Sequence, residues 1–305
     1  MTNGPALSLP ADEGGSQHVH GILIVGAGVL VLSFDAVLIR LAHTDGWTVA
    51  FWRGAFMFVS LGGLLAVRGG WGATFASIRA GGTLALISII GFGTTSLLFV
   101  LSIMLTKAAN TVVIVSAAPL FAALFTRVFL SEVVHLRTWL AILASVAGVV
   151  AVFYGSLGGG SLAGDLCALA TAAVLGANLT LLRRNRELPR APLVCAGGLM
   201  MALVAFPMAQ PFSLPGQSYA VLAVMGMVQM PVAQVLMAVG TRYLPAPEVS
   251  LFLLVEAVLA PVWVWLAVGE QPPGATFFGG IVIIAALAVH SWLSLRSAPR
   301  RVPRL

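Results

Sequence analysis

The chain has 305 residues, of which 59% are hydrophobic and only 9% charged, whereas about a quarter of the residues in a soluble domain carry charge. That balance describes an integral membrane protein, and apolar helices of about 20 residues set along it leave loops too short for a soluble catalytic domain. A net charge of +6 would suggest nucleic acid in a soluble protein, but here the basic residues gather at the ends of apolar spans, and no nucleic-acid partner is expected.

Residues 1–17 hold Asp12, Glu13, proline and glycine, with neither a basic start nor an apolar run. They read as a disordered cytoplasmic tail rather than a cleaved signal peptide, with the first helix as an uncleaved anchor. Apolar spans are then expected at 20–42, 47–67, 81–105, 108–130 and 137–154, and again at 162–182, 192–208, 219–239, 249–268 and 275–295. Arg68-Gly69-Gly70, the glycine run 158–160, Pro211 to Gly216, Pro245 to Pro247 and Pro272-Pro273-Gly274 punctuate them.

Spans one and two form a hairpin turning near residue 44, and Asp35 and Arg53 stand equally far from that turn. At 1.5 Å per residue both lie about 9 to 12 Å inside the helix ends, and opposite charges at matched depth in a low dielectric pair. Such a pair either fixes the hairpin or serves as an outer gate, with Arg53 recognising a substrate carboxylate through its planar fork. Span three offers Gly91, Thr94, Thr95 and Ser96, and span four offers Asn110, Ser116 and a bend at Pro119. Small residues such as Ala141, Ala144 and Gly148 in span five let helix backbones approach closely.

Span six carries Asn178 and Cys167, and span seven carries Cys195. Without partner ligands at metal-like spacing, the cysteines read as packed thiols, and no metal or cofactor is expected. Span eight concentrates soft and amide side chains from Met225 to Gln234. Pro231 bends it and frees a carbonyl, a feature that lines cavities in membranes. Gln229 and Gln234 are the stronger substrate candidates because amides seldom face lipid, while Met230 suits either an adaptable contact or packing. Asn110 and Asn178 act as helix ties, at about 1 kcal/mol each, as readily as ligands.

Glu256 falls halfway along span nine, where an ionised carboxylate costs several kcal/mol unless paired or hydrated. It is therefore protonated, partnered or facing a wet cavity, and it either handles substrate or protons or ties neighbouring helices. Pro261 gives that span its bend. Glu132 and Glu270 stand beside the starts of spans five and ten, where a carboxylate suits the positive end of a helix dipole, and both read as structural caps. Residues 297–305 form a basic cytoplasmic tail.

The chain is written twice. An offset of 143 sets Gly21 on Gly164, Asp35 on Asn178, Arg40 on Arg183, Gly54 on Gly197 and Met57 on Met200. An offset of 138 sets Ala108 on Ala246 and Leu130-Ser131-Glu132 on Val268-Gly269-Glu270. Five spans per copy, an odd number, force the second copy to enter the bilayer from the opposite side. The expected fold is an all-α integral membrane protein of ten transmembrane helices, with five-helix repeats at 18–156 and 161–296 in inverted topology. A cytoplasmic N-terminus puts 13 of the 16 basic residues inside, leaving Arg40, Arg53 and Lys107 toward the outside, so both termini are expected in the cytoplasm. Inverted repeats of this kind are a transporter architecture.

Ala108-Ala109-Asn110-Thr111, Ala117-Ala118-Pro119, Ala122-Ala123 and Leu130-Ser131-Glu132 resemble the fourth helix of the drug/metabolite transporter superfamily, specifically its EamA-type family. Gly164-Asp165 opening span six and Gly269-Glu270 closing span nine are similar as well, and the resemblance covers roughly residues 20 to 296. It implies ten helices in two inverted halves, a substrate cavity near the midplane and alternating exposure. It also implies a multi-pass protein of a bacterial-type cytoplasmic (inner) membrane, a monomer or homodimer, exporting amino acids or other small metabolites. Many relatives have proline directly after the acid of helix nine; here Glu256 precedes Ala257, and the proline comes about one turn later.

The competing readings are a nucleotide-sugar-like or multidrug carrier of the same fold, a channel, or an intramembrane enzyme. The enzyme needs a nucleophile with a base, and neither a Gly-x-Ser-x-Gly elbow nor a His-Glu-x-x-His helix occurs. Glu256 favours a positive group or a mobile proton, and Arg53 favours a carboxylate. An amino acid satisfies both, with protons as the candidate coupling ion.

Overall fold

The computed structural model describes residues 12–130, eight positions between 140 and 154, and residues 161–185, 187–240 and 246–297. Among these residues every regular element is helical, as lipid requires of a backbone that must satisfy its own polar groups. The first copy contributes α1 (Asp12–Ser33), α2 (Asp35–Leu41), α3 (Gly46–Ala80), α4 (Gly82–Leu105), α5 (Ala108–Val115) and α6 (Ala118–Leu130). The second contributes α7 (Leu162–Arg184), α8 (Arg190–Ala205), α9 (Gly216–Ala223), α10 (Met230–Gly240), α11 (Ala246–Val268) and α12 (Gly274–Ser297).

Seven helical stretches among the described residues are long and apolar enough to cross a membrane: Val19–Leu41, Gly46–Ala80, Gly82–Leu105, Ala108–Phe125, Leu162–Leu182, Arg190–Met208 and Gly216–Met237. Two shorter apolar helices, Val255–Val268 and Gly274–Ala286, lie in spans nine and ten. The chain is thus a multi-pass membrane protein. Span five lies mostly outside the described residues, although its Gly148 packs on Ile283 and the Gly279 carbonyl of α12.

Among the described residues three spans are interrupted in mid-course. Span one breaks at Phe34 between α1 and α2, and span four breaks at Ser116 and Ala117 between α5 and α6. In span eight a π-helical turn, Val224–Gln229, separates α9 from α10. Pro231, at the second position of α10, cannot donate to the preceding turn, and the wider π turn takes up the mismatch. Pro119 stands at the second position of α6, where its missing N–H costs nothing. Pro261 lies inside a continuous α11.

One stretch departs from the sequence reading. Gly70 holds φ 78° and ψ 156°, which only glycine adopts freely, and the chain turns there into a helical return of residues 71–80. Trp71 folds back onto the helix it has just left, its ring 5.7 Å from that of Phe58 and its edge against Gly62. Composition makes 68–80 a linker because its glycines mask the apolar contact.

The two copies are packed into each other. α3 lies chiefly on α8, α4 lies on α7 and α8, and α1 lies on α10 and α11. Spans two and seven, equivalent in the repeat, meet backbone to backbone. A Cβ at Gly54 would stand 2.5 Å from the Gly198 carbonyl oxygen and 2.9 Å from the Ala202 nitrogen. Close approach of this kind supplies the van der Waals packing that holds helices together in lipid. Gly54→Val is expected to destabilise the protein by about 1 to 3 kcal/mol or more through overpacking, read as a lower unfolding temperature in detergent. Gly63→Ala, with nothing within 4 Å of the new methyl, is the control and leaves that temperature unchanged or higher.

Candidate functional site

The break at Phe34 makes Asp35 the first residue of α2, where unpaired backbone N–H groups and the helix dipole favour a carboxylate. Arg53, on α3, places Nη1 at 2.9 and 2.8 Å from the two Asp35 oxygens, so one nitrogen reaches both. Both residues are buried, Arg53 to 2% exposure, and its Nε has no partner. The guanidinium therefore keeps donor capacity beyond the pair.

The π turn of span eight is seated on Arg53. A Cβ at Gly226 would stand 2.6 Å from Phe56 Cβ and 3.1 Å from the Arg53 carbonyl oxygen. Gln229 closes that turn, buried, with Nε2 donating to the Val31 carbonyl at 3.2 Å and Oε1 left without a partner. Glu256, half-buried on α11, lies within electrostatic reach of both Asp35 and Arg53. Trp263, further along α11, stacks on Phe34 at 4.9 Å and donates from Nε1 to Ser33 Oγ at 2.9 Å. One arginine and two carboxylates thus gather beside the break in span one, with the buried amide of Gln229 tied to span one at Val31 just ahead of that break.

Other candidates lie elsewhere. Met230 is packed in an apolar cluster with Met57, Leu61, Val194 and Cys195. Asn178 accepts from Ser88 Oγ at 2.8 Å and fits against Gly91, joining α7 to α4. Thr95 has a buried hydroxyl without a partner, on α4. Gln234 is exposed on α10, whereas Gln229 is buried. Five residues along the α-helix put Gln234 about 140° around the axis from Gln229, so the two amides cannot share a face. Glu132 and the side chain of Pro119 lie outside the described residues.

A second polar group forms at one end of the bundle. Asn110 Nδ2 donates to Thr106 Oγ1 and to Asp165 Oδ1, each at 3.4 Å, and Thr276 Oγ1 donates to Asn110 Oδ1. Thr106 Oγ1 itself donates to Asp165 Oδ1 at 2.8 Å. Glu270 is a cap, but of span four rather than span ten: its Oε1 accepts from the Ala108 backbone N–H of α5 at 2.7 Å. The loop after α11 carries it across to α5, a placement that adjacency in sequence conceals. Its other oxygen pairs with Arg40 Nη2 at 2.8 Å, and the same nitrogen donates to the Thr106 carbonyl at 2.8 Å. Arg40, Thr106, Asp165 and Thr276 were not among the candidate site residues, although Arg40 recurs in the repeat and Asp165 belongs to the family resemblance. For Arg40 a signal existed, since a cation inside span one has to find a partner.

Interrupted spans gathered around buried charge define a multi-pass helical membrane protein of the transporter class. The chain belongs to the EamA-like transporter family, whose model matches it twice, over residues 19–154 and 162–292. The two matches begin at the offset seen between the repeats. The chain is 23% identical to the uncharacterized transporter YdfC of Bacillus subtilis (strain 168) over 209 residues, 66% of this chain and 68% of that protein. A protein of known crystal structure, 17% identical, superposes with a TM-score of 0.64 over 91% of this chain and 98% of its own, and shows the same fold.

Removing one partner of a buried ion pair strands the other charge, so Arg53→Ala is expected to cost about 3 to 5 kcal/mol of stability. The double replacement of Asp35→Leu with Arg53→Met recovers most of that loss in the unfolding temperature while leaving transport abolished.

Proposed function

We propose that this protein is a carrier that exports amino acids or related small metabolites across a bacterial-type cytoplasmic membrane by alternating access. In this reading ten transmembrane helices form two inverted halves, 18–156 and 161–296, with both termini in the cytoplasm. Arg53, Glu256 and Gln229 bind the substrate beside the breaks of spans one and eight, with protons as the candidate coupling ion.

The observation that carries the reading is the convergence of Arg53 and Glu256 beside the breaks in spans one and eight, with the Arg53 Nε and Gln229 Oε1 buried and unpartnered. A cation with spare donors suits a carboxylate, and a carboxylate beside it suits an ammonium. Freed backbone groups at helix breaks supply further polar contacts without side chains. An α-amino acid presents both charges on adjacent atoms, which is what a site with opposite charges side by side selects.

In proteoliposomes loaded with labelled amino acids, Glu256→Gln is expected to lower transport about tenfold or more, the loss of one charge-assisted contact, with membrane expression intact. Unchanged transport removes Glu256 from the site. A strain overproducing the protein, grown across a panel of toxic amino acids and analogues, should gain resistance together with a reduced intracellular load. Resistance without that reduction counts against export. Reporter fusions at the two termini should both report the cytoplasm, and opposite sides would overturn the inverted arrangement.

A further inference from the structure

α2 is a seven-residue helix isolated at both ends. A turn at Phe34, φ −79° and ψ −5°, precedes it, and shortly after it His43 holds φ 46°, the positive φ outside glycine among the described residues. A side chain in that region costs on the order of 1 kcal/mol, so the turn is held by its surroundings. Asp35 occupies the first turn of this rod and Arg40 the last, each at the dipole end that suits its charge.

Both charged ends of α2 face the span that carries Glu256. The inner end is tied to Arg53 and feels Glu256, and the outer end is tied to Glu270, which follows α11 directly. Arg40 and Glu270 also hold the junction between spans three and four. Arg40 takes the Thr106 carbonyl at the C-terminal end of α4, and Glu270 takes the Ala108 N–H at the N-terminal end of α5. Each charge meets the dipole end that attracts it. One ion pair therefore joins spans one, three, four and nine at this end of the bundle. The Nε of Arg40, like that of Arg53, is buried and unpartnered, so neither arginine is saturated by its present contacts.

We propose that Arg40 and Glu270 are the latch that closes this end of the transport path, and that α2 couples the latch to the substrate site. The proposal rests on the reading of Arg53 as a carboxylate ligand. Asp35 occupies Arg53 as a substrate carboxylate would. A substrate that takes Arg53 leaves Asp35 without its partner, frees the inner end of α2, and loosens Arg40 at the outer end of the same rod.

Ala36, buried on α2, is the reporter. With Cys167 and Cys195 replaced by alanine, Ala36→Cys is labelled by a membrane-impermeant maleimide in reconstituted protein. Adding Glu270→Gln, which keeps an acceptor for the Ala108 N–H but loses the ion pair, should raise the labelling rate about tenfold, as expected for one charge-assisted bond. Asp35→Asn should do the same from the other end of α2. An unchanged rate in Glu270→Gln overturns the latch, and a rise confined to Glu270→Gln overturns the coupling. If Asp35→Asn does not reach the membrane, joining Arg40→Cys to Glu270→Cys with a short cleavable thiol cross-linker must stop transport until the linker is cleaved, and undiminished transport refutes the proposal. Labelling requires no substrate, so a failure of Arg53 as carboxylate ligand shows in the transport assay and leaves the Glu270→Gln result standing.

Discussion

The Asp35–Arg53 ion pair has to be satisfied inside the protein, because neither group can be left alone at that depth in lipid. Span one turns at Phe34, and Asp35 meets Arg53 of α3 from the first position of the helix that follows. The pair also requires something against α3 at the level of Arg53. The π turn of span eight fills that role through Gly226, and the same turn delivers Gln229 to the carbonyl of Val31 just ahead of the break. Removing two charges from water costs several kcal/mol per ion, and a scaffold gains little stability from such a pair over apolar side chains of the same volume. A site that must recognise charge gives a reason to keep it.

Around that pair the architecture is ordinary membrane packing. Gly54 lies on Gly198, Gly93 on Gly197, and Gly176 on the Ala118 carbonyl, so the two copies touch through backbone where side chains would hold them apart. Such contacts occur where first-copy helices cross second-copy helices, while the charged pair gathers beside the broken spans one and eight. Rigid contacts beside interrupted helices are a sensible distribution for a molecule that has to change exposure while keeping its fold.

Much of this was legible in the residues. Length and apolarity locate the spans, because twenty apolar residues in a row have no other stable fate in a bilayer. The duplication was legible as recurring residues at fixed offsets, and the family model finds the same two copies. Asp35 and Arg53 could be matched because a hairpin fixes depth by counting. Counting also shows that Gln229 and Gln234 cannot share a helix face, since five residues put them about 140° apart. Asn110 and Asn178 were recognisable as polar residues within spans, but their partners, Thr276 and Ser88, stand 166 and 90 residues away.

The sequence by itself therefore determined the class of the protein, the positions of most of its spans and its internal duplication, all of which depend on local composition and spacing. Tertiary structure alone decided which polar side chains meet. Arg40 finds Glu270, Glu270 caps α5 instead of the helix beside it in the chain, and Arg53 gains the π turn of the other copy as a neighbour through Gly226. Those choices depend on the rotation of each helix about its own axis. In lipid, that rotation is set by how backbones pack against one another, a relation between distant segments that no single stretch of residues contains.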